Sequence, residues 1–216
     1  MAFDLNGTLL DPTPVVQRQD GVPDPAGWGG AALDEAVRLS MADTLAGGYR
    51  PFPEYLRAAL ARRLVATGVG TAALDAMLER AGRMPAFPEA ADALARLAEA
   101  GLRPAVVTNS AGDAAREALC AAGLDGRFDA VVGSDRARVY KPHPALYAAA
   151  AAELGAAPGD LWLVTAHGWD ALGAGRAGWR VAWVAHREGH LPPGVAEPEV
   201  RADTLGAAAG AIVAAG

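Results

Sequence analysis

The chain has a single cysteine among its 216 residues, so it can form no internal disulfide, and Cys120 has no partners at zinc-site spacing. Lying in an alanine-rich helical stretch, Cys120 reads as a buried thiol. No apolar run approaches the ~18 residues of a membrane-spanning helix. The start has neither the basic segment nor the cleavage site of a secretory signal, so the expected location is the cytoplasm. No Lys/Arg cluster stands out and the net charge is −6, which argues against DNA or RNA as a partner. The chain has no internal repeat.

What is present is apolar residues, 52% of the total, enough for a large domain or for a core with a smaller insert. Residues 1–5 read as a strand. Residues 12–30, rich in Pro and Gly, read as a linker. Three helices are then expected: one over 31–47, one opened by Pro53, and one capped by Thr71. From residue 86 onward strands and helices alternate. Strands are expected over 104–108, 128–132, 161–165 and 181–184, and helices near 88–100, 111–122, 142–154 and 168–177. A small terminal helix follows the loop around Pro192-Pro193. The run Pro104-Ala105-Val106-Val107-Thr108 is continuously apolar up to its last residue, as a sheet covered on both faces requires. The alternation predicts an α/β fold with a parallel sheet and helices on both faces.

Four stretches carry chemistry. Phe3-Asp4-Leu5-Asn6-Gly7-Thr8 ends an apolar run in an aspartate followed by a glycine turn. That places a carboxylate at the carboxyl end of a strand, where open α/β sheets hold their reactive groups. Asp4 is the candidate nucleophile; a carboxylate gains reactivity through desolvation and orientation. It needs a nearby cation to stay ionised, and Lys141 in Tyr140-Lys141-Pro142-His143-Pro144 is the candidate. Thr8 and Thr108 can orient carboxylate oxygens through their hydroxyls. Asn109, just past the second strand in Val106-Val107-Thr108-Asn109-Ser110, offers amide donors. His167 and Asp170 follow the fourth strand in Leu163-Val164-Thr165-Ala166-His167-Gly168-Trp169-Asp170. His167 is open to two readings, a donor or base near the reacting carboxyl or a satisfied polar residue.

In this order the four blocks resemble the haloacid dehalogenase (HAD) superfamily. Trp169-Asp170-Ala171-Leu172-Gly173-Ala174 and Gly178-Trp179-Arg180-Val181-Ala182-Trp183-Val184 look like the corresponding run of its 2-haloacid dehalogenases. The resemblance implies a Rossmann-like core over 1–12 and 86–216, with a helical cap over 13–85 inserted after strand one. By analogy, Asn109 would help to hold a leaving halide, and Asp170 would sit near Lys141 and position water. Tyr147 and Trp169 would stand at the site. Arg38 on the cap would supply a cation for halide or carboxylate, and Phe52 would line the halide pocket.

Asn6 stands where HAD phosphatases carry a second aspartate that protonates the leaving oxygen. An amide cannot donate a proton in that way, whereas a departing halide needs none. The resemblance therefore implies hydrolysis of a short 2-haloalkanoic acid to the 2-hydroxy acid through an aspartyl ester, without a cofactor, in a possible homodimer with no membrane partner. The alternatives are a Mg²⁺-dependent phosphatase acting on a small monoester and a catalytically idle HAD-fold binding protein.

Overall fold

The computed structural model describes residues 1–15, 25–68 and 70–215. Six strands form one parallel sheet: β1 (Ala2–Phe3), β2 (Ala105–Val107), β3 (Ala130–Val132), β4 (Trp162–Thr165), β5 (Arg180–Val184) and β6 (Val200–Ala202), in the order β3-β2-β1-β4-β5-β6. The chain reverses direction of travel across the sheet between β1 and β4. Open parallel sheets place their sites at such a point, beyond the carboxyl ends of the strands.

Side chains alternate between the two faces, following the two-residue period of a strand. Phe3, Val106, Val131, Val164 and Ala182 point into one core, whereas Ala2, Val107, Val132, Leu163, Val181 and Trp183 point into the other. The first face is covered by α4 (Ala90–Glu99), α5 (Gly112–Ala121) and α8 (Leu205–Ala215), and the second by α6 (Pro144–Leu154) and α7 (Gly168–Arg176). Both faces being dry, β4 has all four of its residues buried.

Between β1 and α4 lie α1 (Pro25–Leu45), α2 (Phe52–Ala66) and α3 (Leu74–Ala81). Glu35 of α1 is buried and ion-paired with Arg62 of α2 at 2.8 Å, and Arg63 of α2 lies over the Trp28 ring.

Several expectations are corrected. Residues 25–30 are helical rather than linker. Proline suits a first turn, and burial of Trp28, Ala32 and Ala36 along one side of α1 overrides the poor propensity of its glycines. Residues 16–24 of the expected linker lie outside the described residues. Thr71 caps nothing through its side chain: it begins a 3-10 turn, Thr71–Ala73, that leads into α3. β1 is shorter than expected. β6, hidden between a proline-rich loop and a polar turn, was not expected at all. Cys120 is exposed, because α5 turns Ala115, Ala118 and Leu119 inward and carries position 120 to the outside.

Candidate functional site

The site is assembled from the segments that leave the carboxyl ends of β1 to β5. Asp4 directly follows β1, and its N–H still donates to Val164 O of β4 at 3.0 Å. The carboxylate is buried. Its Oδ1 accepts from Lys141 Nζ at 2.9 Å and its Oδ2 from the Thr8 hydroxyl at 2.8 Å. Thr8 is fixed in turn by the Ala166 N–H, which donates to its oxygen. Gly7 makes the intervening turn at φ +86°; a Cβ there would lie 2.9 Å from His167 Nε2, so both backbone angle and space favour glycine.

Lys141 precedes α6, and its peptide bond to Pro142 is cis. Its ammonium has three N–H bonds, and each has a partner: Asp4 Oδ1, Asp170 Oδ2 at 2.6 Å and Val107 O at 2.9 Å. Asp170, in the first turn of α7, also accepts from the Tyr147 hydroxyl at 2.6 Å. One cation thus serves two buried carboxylates. Burial pushes the Asp4 carboxyl up, but Lys141, His167 and Thr8 together outweigh it and hold its pKa below the ordinary value. Burial also pushes Asp170 up; Lys141 opposes this, the Asp4 charge reinforces it, and Asp170 stays raised. Burial would lower Lys141, yet the two carboxylates more than offset that and raise it. Burial, followed by the Asp170 charge, holds the Tyr147 phenol well above its usual value, so it acts as a donor.

In front of Asp4 lies a cavity of about 30 Å³, roughly the space of one water. Its wall is formed by Asp4, Asn6, Thr108, Asn109, Ser110, His167 and Trp169 together with Leu33, Asp34, Val37 and Phe52 of the α1–α2 region, and by Arg187 from the turn after β5. Asn109 is buried. Its Oδ1 accepts from the Lys141 N–H at 2.8 Å, whereas Nδ2 is buried without a hydrogen-bond partner. His167 Nε2 lies 2.9 Å from Asn6 O and 3.6 Å from Asp4 Oδ2. A carbonyl only accepts, which assigns a proton to Nε2. The arrangement can therefore hold an ionised, oriented carboxylate against a small cavity that presents donors. Among the described residues, no group of three or more His, Cys, Asp and Glu side chains is arranged to hold a metal ion.

A family model for haloacid dehalogenase-like hydrolases matches residues 1–178. The chain belongs to the haloacid dehalogenase-like hydrolases. Within that family it is 34% identical to an (S)-2-haloacid dehalogenase of Xanthobacter autotrophicus over 86% of this chain and 74% of the relative. It is 30% identical to (S)-2-haloacid dehalogenase 4A of Burkholderia cepacia, over 88% and 84% of the two chains. The fold superimposes on the L-2-haloacid dehalogenase of X. autotrophicus, solved with chloropropionic acid covalently bound, with a TM-score of 0.87, 28% identity and coverage of 98% and 96%.

For this haloacid dehalogenase-like hydrolase, the structure brings together most of the residues singled out from sequence. Asp4, Asn6, Thr108, Asn109, His167, Trp169 and Phe52 line the cavity, and Thr8, Lys141, Asp170 and Tyr147 form the layer behind it. Three expectations change. The Thr108 hydroxyl does not orient Asp4: its oxygen accepts from the Ser110 N–H at 3.1 Å, closing the turn after β2. Arg38 is exposed and lies off the cavity wall, because α1 turns Leu33, Asp34 and Val37 toward the cavity and position 38 toward water. Asp170 is also sealed from the cavity, saturated by Lys141 and Tyr147, so its contact with the reacting centre runs through the ammonium.

Three residues escaped the sequence reading. Arg187 lines the cavity and bonds Asp34 at 3.0 Å. Glu188 accepts from Gly168 N at 2.9 Å and lies 3.8 Å from His167 Nδ1. Asp34 belongs to a helix whose charged positions all look alike in sequence. Arg187 and Glu188 sit in a polar turn without a motif, and only the sheet order brings that turn beside β1.

Proposed function

We propose that this hydrolase removes halide from a short 2-haloalkanoic acid, yielding the 2-hydroxy acid. An Asp4 oxygen attacks C2, a carbon–oxygen bond forms, and the carbon–halogen bond breaks with its electron pair leaving as halide. Water then adds to the carbonyl carbon of the aspartyl ester. The hydroxy acid departs with the former nucleophile oxygen, Asp4 is restored with an oxygen from water, and one proton is released. A single displacement at C2 inverts its configuration.

The observation that carries this reading is the unpaired amide donor of Asn109 beside the nucleophile. A buried N–H without an acceptor is costly, and a halide leaving across the cavity would supply one. The (S)-2-haloacid dehalogenase relatives support the same chemistry. Asn6 adds to it, since its amide donates to Ser110 Oγ at 3.1 Å and offers no acid for an alkoxide leaving group. In the ester, the His167 Nε2–H is placed to support negative charge developing on the Asp4 carbonyl oxygen.

A Mg²⁺-dependent phosphatase is the competing reading, and the residues do not fit the ion. The protonated Nε2 of His167 occupies the flank shared by Asp4 Oδ2 and Asn6 O, and Lys141 Nζ fills the space between the two carboxylates. We further take residues 13–85 as a cap unit over a core of 1–12 and 86–216.

The test is halide release from racemic 2-chloropropionate, with chelator present, by the wild type and Asp4→Asn, followed by chiral analysis of the lactate. Release by the wild type alone, from one enantiomer and with inversion, is expected. No release, together with Mg²⁺-dependent turnover of an aryl phosphate, would reject the proposal.

A further inference from the structure

We propose that Arg187 is the residue that recognises the substrate carboxylate, and that Asp34 occupies its guanidinium until substrate displaces it. The inference rests on the dehalogenase reading for the identity of the substrate, but not for the existence of the anion site.

A 2-haloacid must bring its own carboxylate close to Asp4, and two anions in a cavity shielded from water repel strongly. Lys141 cannot relieve this, because all three of its N–H bonds are taken by Asp4, Asp170 and Val107. Arg38 is turned to water. Among the described residues of the cavity wall, Arg187 alone carries a permanent positive charge. Its guanidinium has five N–H donors in a fork that matches a carboxylate, and its hydrogen bond goes to one: Nη2 donates to Asp34 Oδ1 at 3.0 Å.

The two members of this pair differ in burial. The Arg187 side chain is 20% exposed and packs near Gly7, while that of Asp34 is 71% exposed. Asp34 can therefore return to water at little cost, since a well-solvated partner contributes little to an ion pair. The exchange is like for like, one carboxylate for another on the same fork. It also couples binding to access. Asp34 is on α1 and Arg187 follows β5, so the pair ties the α1 helix to the end of the sheet across the cavity mouth. Releasing this tie frees the Asp34 side of the cavity mouth for the incoming carboxylate.

The first measurement is binding of propionate, which has no halogen to lose, to the wild type, Arg187→Met, Arg187→Lys and Asp34→Asn, by calorimetry, with folding checked by circular dichroism. Arg187→Met is expected to weaken propionate by about tenfold or more, the loss of one charge-assisted pair. Arg187→Lys should lose less, and Asp34→Asn should tighten binding by removing the competitor. The second measurement compares kcat/KM for 2-chloropropionate and the neutral 2-chloropropionamide; Arg187→Met should depress the acid selectively. Absence of propionate binding to the wild type, equal affinity in Arg187→Met, or weakening in Asp34→Asn would each overturn the inference. Arg187-dependent propionate binding without halide release from either substrate would leave this site standing and reject the dehalogenase reading instead.

Discussion

Replacing Lys141 by Met tests the charge balance at the centre of the site. The change keeps most of the side-chain volume and removes three hydrogen bonds, to Asp4, Asp170 and Val107. Two carboxylates are left buried without their counter-ion. Removing one partner of a buried pair costs about 3–5 kcal/mol, against the ~5–15 kcal/mol that holds a typical domain folded. For a chain of this length that cost corresponds to a fall in Tm of about 6–20 °C. The signature is the pH dependence. Without the ammonium, both carboxylates are governed by burial and by each other, and their folded pKa values rise above the unfolded ones. The variant then binds protons more readily when folded, so its deficit should shrink as the pH is lowered from 8 to 5. Adding Asp170→Asn removes one of the stranded charges and should recover part of the loss, so the double variant should be more stable than Lys141→Met alone. Urea unfolding of the wild type, Lys141→Met and the double variant at several pH values measures all of this. A deficit under about 1 kcal/mol at pH 7, or one that is the same at pH 5 and pH 8, would refute the account.

The pH profile of turnover should be set on its acid side by Asp170, whose pKa is raised, rather than by Asp4, whose pKa is lowered. Asp170→Asn, which removes the like charge beside Asp4, should shift the acid limb of kcat/KM to lower pH in a pH-stat assay, whatever the residual rate. In stability the two carboxylates act in opposite senses. The depressed Asp4 stabilises the fold above its unfolded pKa and loses this as the pH falls through its folded value; the raised Asp170 contributes stability at low pH that is lost as the pH rises through its folded value. Tyr147→Phe should cost about 1–3 kcal/mol in urea unfolding by stripping a donor from buried Asp170. Gly173→Ala would bring a Cβ to 2.5 Å from Tyr147 Oη and 3.0 Å from Pro142 Cα, and should cost about 1–3 kcal/mol. Combined with Tyr147→Phe, which clears the hydroxyl, the loss should be less than additive. Gly7→Ala forces an L-residue to φ +86° and a methyl against His167; about 1–2 kcal/mol of stability and a larger share of kcat should go, with His167→Ala restoring part of the stability.

Asp4 was legible because it closes a short apolar run ahead of a glycine turn, and Lys141 through the resemblance carried by its Tyr140-Lys141-Pro142-His143-Pro144 setting at a helix start. Tyr147 was legible only with the lysine placed off the helix. Lys141 precedes α6, so the six-residue spacing, wrong for one helical face, still lets both side chains converge on Asp170. Arg38 misled because it was assigned by resemblance alone; one position past Val37 in the Leu33, Val37, Met41 spacing, it is carried round the helix toward water. Arg187 and Glu188 were invisible because their value lies in the order of strands, which seats the end of β5 next to β4 and within reach of the β1 turn. A two-residue central strand and a three-residue edge strand carry too little pattern to be bounded from sequence.

Lys141 is the only lysine in the chain. Buried in the native state, its ammonium has all three N–H bonds taken by Asp4, Val107 and Asp170. An acylating reagent applied to the folded protein should therefore spare Lys141 and add there only in molecules in which the Asp4–Lys141–Asp170 layer has come apart. Acylation of the peptide that carries Lys141, read by mass, thus counts openings of that layer directly, with no substrate, dye or engineered label.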